Sequence, residues 1–265
     1  MQTDELTPAA VAAHLTTARL GRECLVLPET DSTNTALRRD FRDRPDGFAL
    51  LAERQTAGRG RLGRTFVSSA GDGLYLSFLL RPALPLTALE LLTFTAAVAV
   101  CEAVERLCGL HPTIKWVNDV FLGSRKLCGI LVESAVSAPT GCPDFVIVGI
   151  GVNLHFDRAA HPELSDVVAA LSDATPTPPT RAMLAAAILN AFEPRCAALC
   201  TGQTAELLAA YRARLNCLGR PITVHTPAAV YEAFCEDLTE QGGLLVRTAD
   251  GARRTLRAGE ISIRL

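Results

Sequence analysis

Lysine is nearly missing from this chain. Of its 26 basic residues only Lys115 and Lys126 are lysines, which leaves 24 arginines. An arginine excess assigns no function by itself, but a planar guanidinium cannot replace a compact ammonium, so the two exceptions draw attention to their positions. Other shortages exclude whole classes. Aromatic residues are 5% of the chain, and none interleave with the basic segments as base stacking on single-stranded nucleic acid would need. A formal charge of −2 gives no general attraction to nucleic acid or anionic membrane, so any basic site must be local. Nine cysteines occur without a C-x-x-C pair, which argues against structural zinc or a disulfide framework and for thiols packed as small hydrophobes. No apolar run reaches the roughly 18 residues of a membrane span. Residues 1–10 carry acids where a secretory signal would carry bases, so the expectation is a cytoplasmic protein with no membrane partner.

With 265 residues, 49% of them hydrophobic, the chain can bury the core of one sizeable domain and a smaller one. Thr7-Pro8 predicts a helix reaching about residue 19. A strand at 24–27 leads to a helix capped by Asp31 or Ser32. Segments 48–54 and 74–80 read as buried strands, and Thr87 with Glu90 predicts a capping box for a long helix closed by Gly109. Short strands are expected at 113–116, 119–122, 126–134 and 145–154, then a Pro- and Thr-rich connection and helices at 181–200 and 204–215. From 217 onward, short alternating segments between glycines and charges predict a small β-barrel. The expected fold is α+β: a mixed β-sheet with helices over residues 1–216 and the barrel over 217–265. About 23 residues before the first strand are too few for a helix-turn-helix, so nucleic acid is not an expected partner.

Residues 57–64 read AGRGRLGR. Gly58, Gly60 and Gly63 match G-x-G-x-x-G, yet the continuation has no helical period and runs into a strand, unlike a dinucleotide site. The alternative is a flap on which Arg59, Arg61 and Arg64 meet a polyanion with charge-assisted hydrogen bonds. Gln55, just before it, offers an amide to a polar heterocycle. In 113–131, TIKWVNDVFLGSRKLCGIL, both lysines, the sole tryptophan, Asn118 and Asp119 fall together. A hairpin there can bring Asp119 and Lys126 to one rim, to hold an anionic intermediate and orient a nucleophile, or merely to form a surface ion pair. Ser32, Thr33 and Asn34 serve equally as a helix cap or as hydrogen-bonding groups for a small ligand.

Taken together, ETDSTN, AERQTAGRGRLGR, LYLSFLLRP, IKWVNDV, RKLCGILVES and VGIGVNL resemble, in order and spacing, the biotin protein ligases, and 217–265 looks like their C-terminal SH3-like domain. The short N-terminus is similar to members without the DNA-binding repressor domain. The resemblance implies a catalytic domain of the class II aminoacyl-tRNA synthetase-like type. It also implies a two-step reaction in which biotin and MgATP give biotinyl-5'-AMP, and biotin then passes to a lysine of a biotin carboxyl carrier domain. It assigns Ser32, Thr33, Asn34, Gln55, Arg59, Gly60, Arg61 and Lys126 to biotin. Arg59, Gly60, Arg61, Arg64, Trp116, Asn118 and Asn153 fall to ATP and the adenylate, and Lys126, Arg61 and Asp119 to catalysis. Biotin, ATP and Mg2+ are the implied small molecules, with no dedicated protein metal site. The implied partner is the carrier domain of acetyl-CoA carboxylase or another biotin-dependent carboxylase, and a homodimer is compatible. Lipoate or octanoate ligases share the adenylation logic, but the arginine flap and C-terminal barrel favour biotin; a non-catalytic biotin or nucleotide binder is the further alternative. Two positions depart from the pattern: Val117 replaces the usual proline of K-W-P-N-D, and Glu232 stands about where a glycine is usual.

Overall fold

The computed structural model describes residues 4–135, 142–226, 229–257 and 260–263. In chain order its elements are α1 (Pro8–Ala12), β1 (Cys24–Thr30), α2 (Thr33–Asp40), β2 (Ala49–Gln55), β3 (Gly73–Leu80) and α3 (Leu89–Cys108). Then come β4 (Thr113–Lys115), β5 (Asp119–Leu122), β6 (Arg125–Ala135), β7 (Phe145–Asn153), α4 (Arg181–Cys200) and α5 (Ala205–Arg214). The first seven strands form one sheet in the order β1-β2-β3-β7-β6-β5-β4. Only β1 and β2 run parallel, and that pair needs a crossover, which α2 supplies. The remaining neighbours are antiparallel, so the sheet is mixed as expected.

The interior strand β3 is buried along its whole length because both faces of the sheet are covered there. On one face the apolar helices α3, α4 and α5 join the sheet in the main core. On the other, Ala36 and Leu37 of α2 pack with Phe48, Leu50, Leu79 and Ile147. That second cover reaches only part of the sheet, and the middle of β6 and β7 lies open beside it as the floor of a cleft.

Three local expectations differ from what the chain does. The first helix ends at Ala12 rather than near residue 19. Beyond it the main-chain N–H of Thr16 donates to Asn190 (2.7 Å), and those of Arg19 and Leu20 donate to the Glu193 carboxylate at 3.0 and 2.9 Å, so contacts with α4 replace further helical turns. The long helix α3 opens at Leu89 with Ala88 in the cap position, one residue beyond the expected start. By length and composition α4 could cross a membrane, with mean hydropathy 1.3. Here it is a core helix, with Leu184, Ile188 and Phe192 fully buried.

The C-terminal strands β8 (Pro221–His225), β9 (Val230–Leu238), β10 (Leu244–Thr248), β11 (Arg253–Leu256) and β12 (Glu260–Ile263) form an antiparallel five-stranded sheet in the order β11-β10-β9-β8-β12. Its inward residues Ile222, Val224, Ala233, Leu244 and Val246 belong to the same buried cluster as the helical face of the large sheet. Glu232 points across to β8, where its carboxylate accepts from the Thr223 hydroxyl (2.9 Å). All nine cysteines are free thiols. Burial pushes the thiols of Cys101 and Cys196 up to about 12, consistent with inert packing groups.

Candidate active site

The cleft floor follows from strand periodicity. Gly129 pairs with Gly151 and Leu131 with Gly149 across β6 and β7, so these four share one face of the sheet, and three of them lack a side chain. Such glycines in a strand mark a close approach by another group. A Cβ on Gly149 would lie 2.1 Å from Asn34 Oδ1, and one on Gly151 would lie 2.8 Å from the Phe66 ring. Asn34 therefore lies over one end of this glycine trough and Phe66 over the other. The cleft around it encloses about 970 Å3, part of it open solvent.

At the Asn34 end, α2 begins directly after β1. Ser32 occupies the cap position without a side-chain cap bond and lines the cleft, so the capping reading of this triplet is not what the hydroxyl does. Thr33 donates its N–H to Gln55 Oε1 (2.8 Å), and Gln55 Nε2 donates to Ser68 Oγ (2.9 Å). Asn34 Nδ2 donates to Leu131 O (3.2 Å) and to Glu133 Oε2 (2.9 Å), while fully buried Ser77 donates to Asn34 Oδ1 (2.6 Å). The Thr33 hydroxyl lies 2.7 Å from Ser77 Oγ and 3.2 Å from Gln55 Oε1, which joins the two amides into one network. This network fixes the direction of both amides.

The arginine segment forms a short hairpin across the trough. Gly60 N–H donates to Arg64 O (2.7 Å) and Phe66 N–H to Gly58 O (2.9 Å), with Arg61–Gly63 as a single 3-10 turn and no helix, as the failed dinucleotide pattern predicts. Gly58 has no room for a side chain, since a Cβ would meet Phe66 O at 2.3 Å. Arg61 Nη1 donates to Asn118 Oδ1 (3.1 Å), and Asn118 Nδ2 donates onward to Asp119 Oδ1 and Ile130 O, both at 3.0 Å. Asp119 and Lys126 meet at the rim of β5 and β6, Nζ to Oδ1 2.8 Å, with 17% and 29% of their side chains exposed. On the outer side Arg59 Nη1 faces Glu133 Oε1 at 3.4 Å.

Among the described residues, Arg59, Arg61, Arg64, Lys115 and Lys126 line the cleft against the single carboxylate of Asp119. A chain of near-zero net charge thus concentrates cations in one place, which suits a polyanion. Beside the flap, burial pushes the Glu90 carboxyl above its ordinary range, and Arg61 only partly offsets this. Among the described residues no three His, Cys, Asp or Glu gather into a metal site.

Of the residues singled out in the sequence, Ser32, Thr33, Asn34, Gln55, Arg59, Gly60, Arg61, Arg64, Trp116, Asn118, Asp119 and Lys126 all line this cleft. Asn153 does not. Its amide donates to Ala169 O (3.2 Å) and lies 3.5 Å from Lys126 O, so it braces the strand that carries Lys126. Trp116 is 3% exposed and donates its indole N–H to Gly242 O (3.2 Å), which ties the cleft wall to the C-terminal sheet. Val117 is buried, and its carbonyl accepts from Tyr211 Oη (3.0 Å), so the turn is held without the usual proline. Sequence reasoning missed Gly129, Gly149, Gly151, Phe66, Ser77 and Glu133. The alternating glycines of GIG were the available signal.

The sequence profile of the biotin/lipoate A/B protein ligase family matches residues 26–153, and that of the biotin protein ligase C-terminal domain matches 217–264. A biotin--[acetyl-CoA-carboxylase] ligase of Paracoccus denitrificans is 34% identical over 247 residues, covering 89% of this chain and 98% of the relative. The bifunctional ligase/repressor BirA of Bacillus subtilis is 30% identical over 258 residues, covering 96% of this chain and 78% of the relative. Among solved structures, the biotin protein ligase from Aquifex aeolicus in complex with biotin and ATP superposes with a TM-score of 0.79 at 30% identity, covering 92% of this chain and 99% of that one. With both sequence segments matched and the fold shared across nearly the whole length, the chain belongs to the biotin protein ligase family.

Proposed function

We infer that residues 1–216 activate biotin with ATP and that 217–265 complete the enzyme, which passes biotin to a lysine of a carrier domain. The observation that carries this reading is the arginine hairpin lying over a glycine-floored trough whose rim holds Lys126 beside Asp119. The glycines let Asn34 and Phe66 approach the sheet closely, and a ring system in the cleft beside them would meet Ser32, Thr33, Asn34 and Gln55 with its polar end. A biotin carboxylate oxygen attacks the α-phosphorus of ATP, forming the acyl phosphate bond and releasing pyrophosphate. Arg59, Arg61 and Arg64 offset the charge brought together in that step, and closure of the hairpin keeps water from the mixed anhydride.

In the second step the acceptor amine attacks the acyl carbon, an amide forms and AMP leaves. Lys126 stabilises the negative charge on the carbonyl oxygen, and Asp119 orients the amine and takes its proton. Trp116 and Asn118 shape the nucleotide side, and Asn153 acts through the Lys126 strand. The acceptor is the biotin carboxyl carrier domain of acetyl-CoA carboxylase or a related carboxylase, and a cytoplasmic setting supplies both it and ATP.

The test is magnesium-dependent exchange of labelled pyrophosphate into ATP with biotin, lipoate or octanoate. Exchange with biotin alone is expected. Exchange with lipoate or octanoate would move the chain to the other branch of the profile, and no exchange with any acid would leave a binding protein.

A further inference from the structure

We propose that Glu133 is a positioning residue that moors the arginine flap and orients the ligand-reading amide at the same time, a proposal that rests on the ligase reading above. Glu133 lies on β6, the strand that carries Lys126 near its other end, and it does not line the cleft. Its carboxylate is 18% exposed and divides its two oxygens. Oε2 accepts from Asn34 Nδ2 (2.9 Å), while Oε1 faces Arg59 Nη1 at 3.4 Å and Arg38 Nη2 at 4.0 Å.

The flap is thus tied down on both sides of the trough. Arg61 is fastened to Asn118 on the Lys126 side, and Arg59 to Glu133 on the Asn34 side. Between these ties Phe66 sits over Gly129 and Gly151, 3.4 Å and 2.8 Å from the positions of their absent Cβ atoms. Ties at both ends restrain the hairpin over the trough, which lowers the entropic cost of holding it closed over the adenylate. Because the same carboxylate also fixes Asn34, a disturbance of the pocket floor reaches the flap through one group.

Glu133→Gln keeps an acceptor for Asn34 but removes the charge facing Arg59. Three measurements separate the roles: release of preformed biotinyl-adenylate, biotin affinity without ATP by calorimetry, and trypsin cleavage after Arg59, Arg61 and Arg64 in the ligand-free protein. The variant is expected to release adenylate about 3–5-fold faster, the scale of a partly exposed ion pair. Flap cleavage should accelerate similarly, while biotin affinity stays within about twofold. In an Arg59→Ala background, Glu133→Gln should add nothing to either flap measurement.

Unchanged release and cleavage would overturn the mooring, as would equal shifts in release and biotin affinity, which would mark a support for Asn34 alone. If the unaltered protein forms no adenylate, the ligase reading fails, while the cleavage comparison, which needs no substrate, still decides the mooring. Should Glu133→Gln not fold, Arg59→Ala must by itself speed cleavage after Arg61 and Arg64; failure to do so refutes the tie.

Discussion

Adding one methyl group to the trough floor should disable the pocket. In Gly149→Ala the new Cβ would lie 2.1 Å from Asn34 Oδ1, 2.8 Å from its Cγ and 3.0 Å from its Nδ2. Ordinary contacts begin near 3.5 Å, so one partner must retreat by more than about 1 Å. Strand β7 cannot, because β3 and β6 hold it on both sides. Asn34 must move instead, and it is 3% exposed and bonded to Ser77, Leu131 and Glu133. Two neutral hydrogen bonds and one to a carboxylate together come to about 3 kcal/mol. Expressed wholly in binding, that loss is roughly a hundredfold in biotin affinity; if half falls on stability, Tm drops by about 3–6 °C. Calorimetric titration with biotin and a thermal melt of the same sample apportion the two. Ser77→Ala, which removes the contacts to Asn34 and Thr33 and adds no bulk, should cost about 2 kcal/mol. A Gly149→Ala protein that binds biotin and melts like the unaltered chain would refute the placement of Asn34 against the floor.

Arg61→Ala removes the tie to Asn118, and biotinyl-adenylate should escape into solution faster; unchanged retention in a dissociation assay would remove the flap's role. Asp119→Asn should slow transfer to the carrier domain more than adenylate formation, and equal losses in both half-reactions would contradict its assignment. Burial works to raise the Glu193 carboxyl, but three main-chain N–H groups and Arg19 outweigh it and hold the group below its ordinary range. Ionised Glu193 therefore stabilises the fold above the usual carboxylate range, and the contribution is lost as pH falls through the lowered value. Urea melts of Glu193→Gln should show a deficit at neutral pH that closes in acid; a constant deficit would be evidence against the charge.

Sequence periodicity carried the sheet strands well because β3 is buried along its whole length and β2 and β7 over most of theirs, so they read as continuous apolar runs. The flap was legible for the opposite reason, since three arginines among glycines cannot be core. Lys126 and Asp119 were legible because one short hairpin joins them. What stayed hidden depends on pairing between distant segments. Ser77 and Glu133 reach Asn34 only because the order β3-β7-β6 lays residues 43 and 99 positions away beside the start of α2. The early end of α1 is set by Glu193, about 174 residues downstream. The motif position of Asn153 gives no direction for its side chain, which turns toward the main chain of Lys126 and Ala169. The trough glycines carry no reactive group, so a search for chemistry passes over them although their spacing of two was in plain view.

The bond from Trp116 to Gly242 has a spectroscopic consequence. The chain has one tryptophan, and that ring lines the cleft while its N–H is fastened to the C-terminal sheet. All indole emission therefore originates at the junction of pocket and small sheet. A ligand filling the cleft changes the ring's surroundings from one side, and parting of the sheet wets it from the other. Quenching without a red shift reports the first event and a red shift reports the second, so the unlabelled protein distinguishes occupancy from separation in a single emission spectrum.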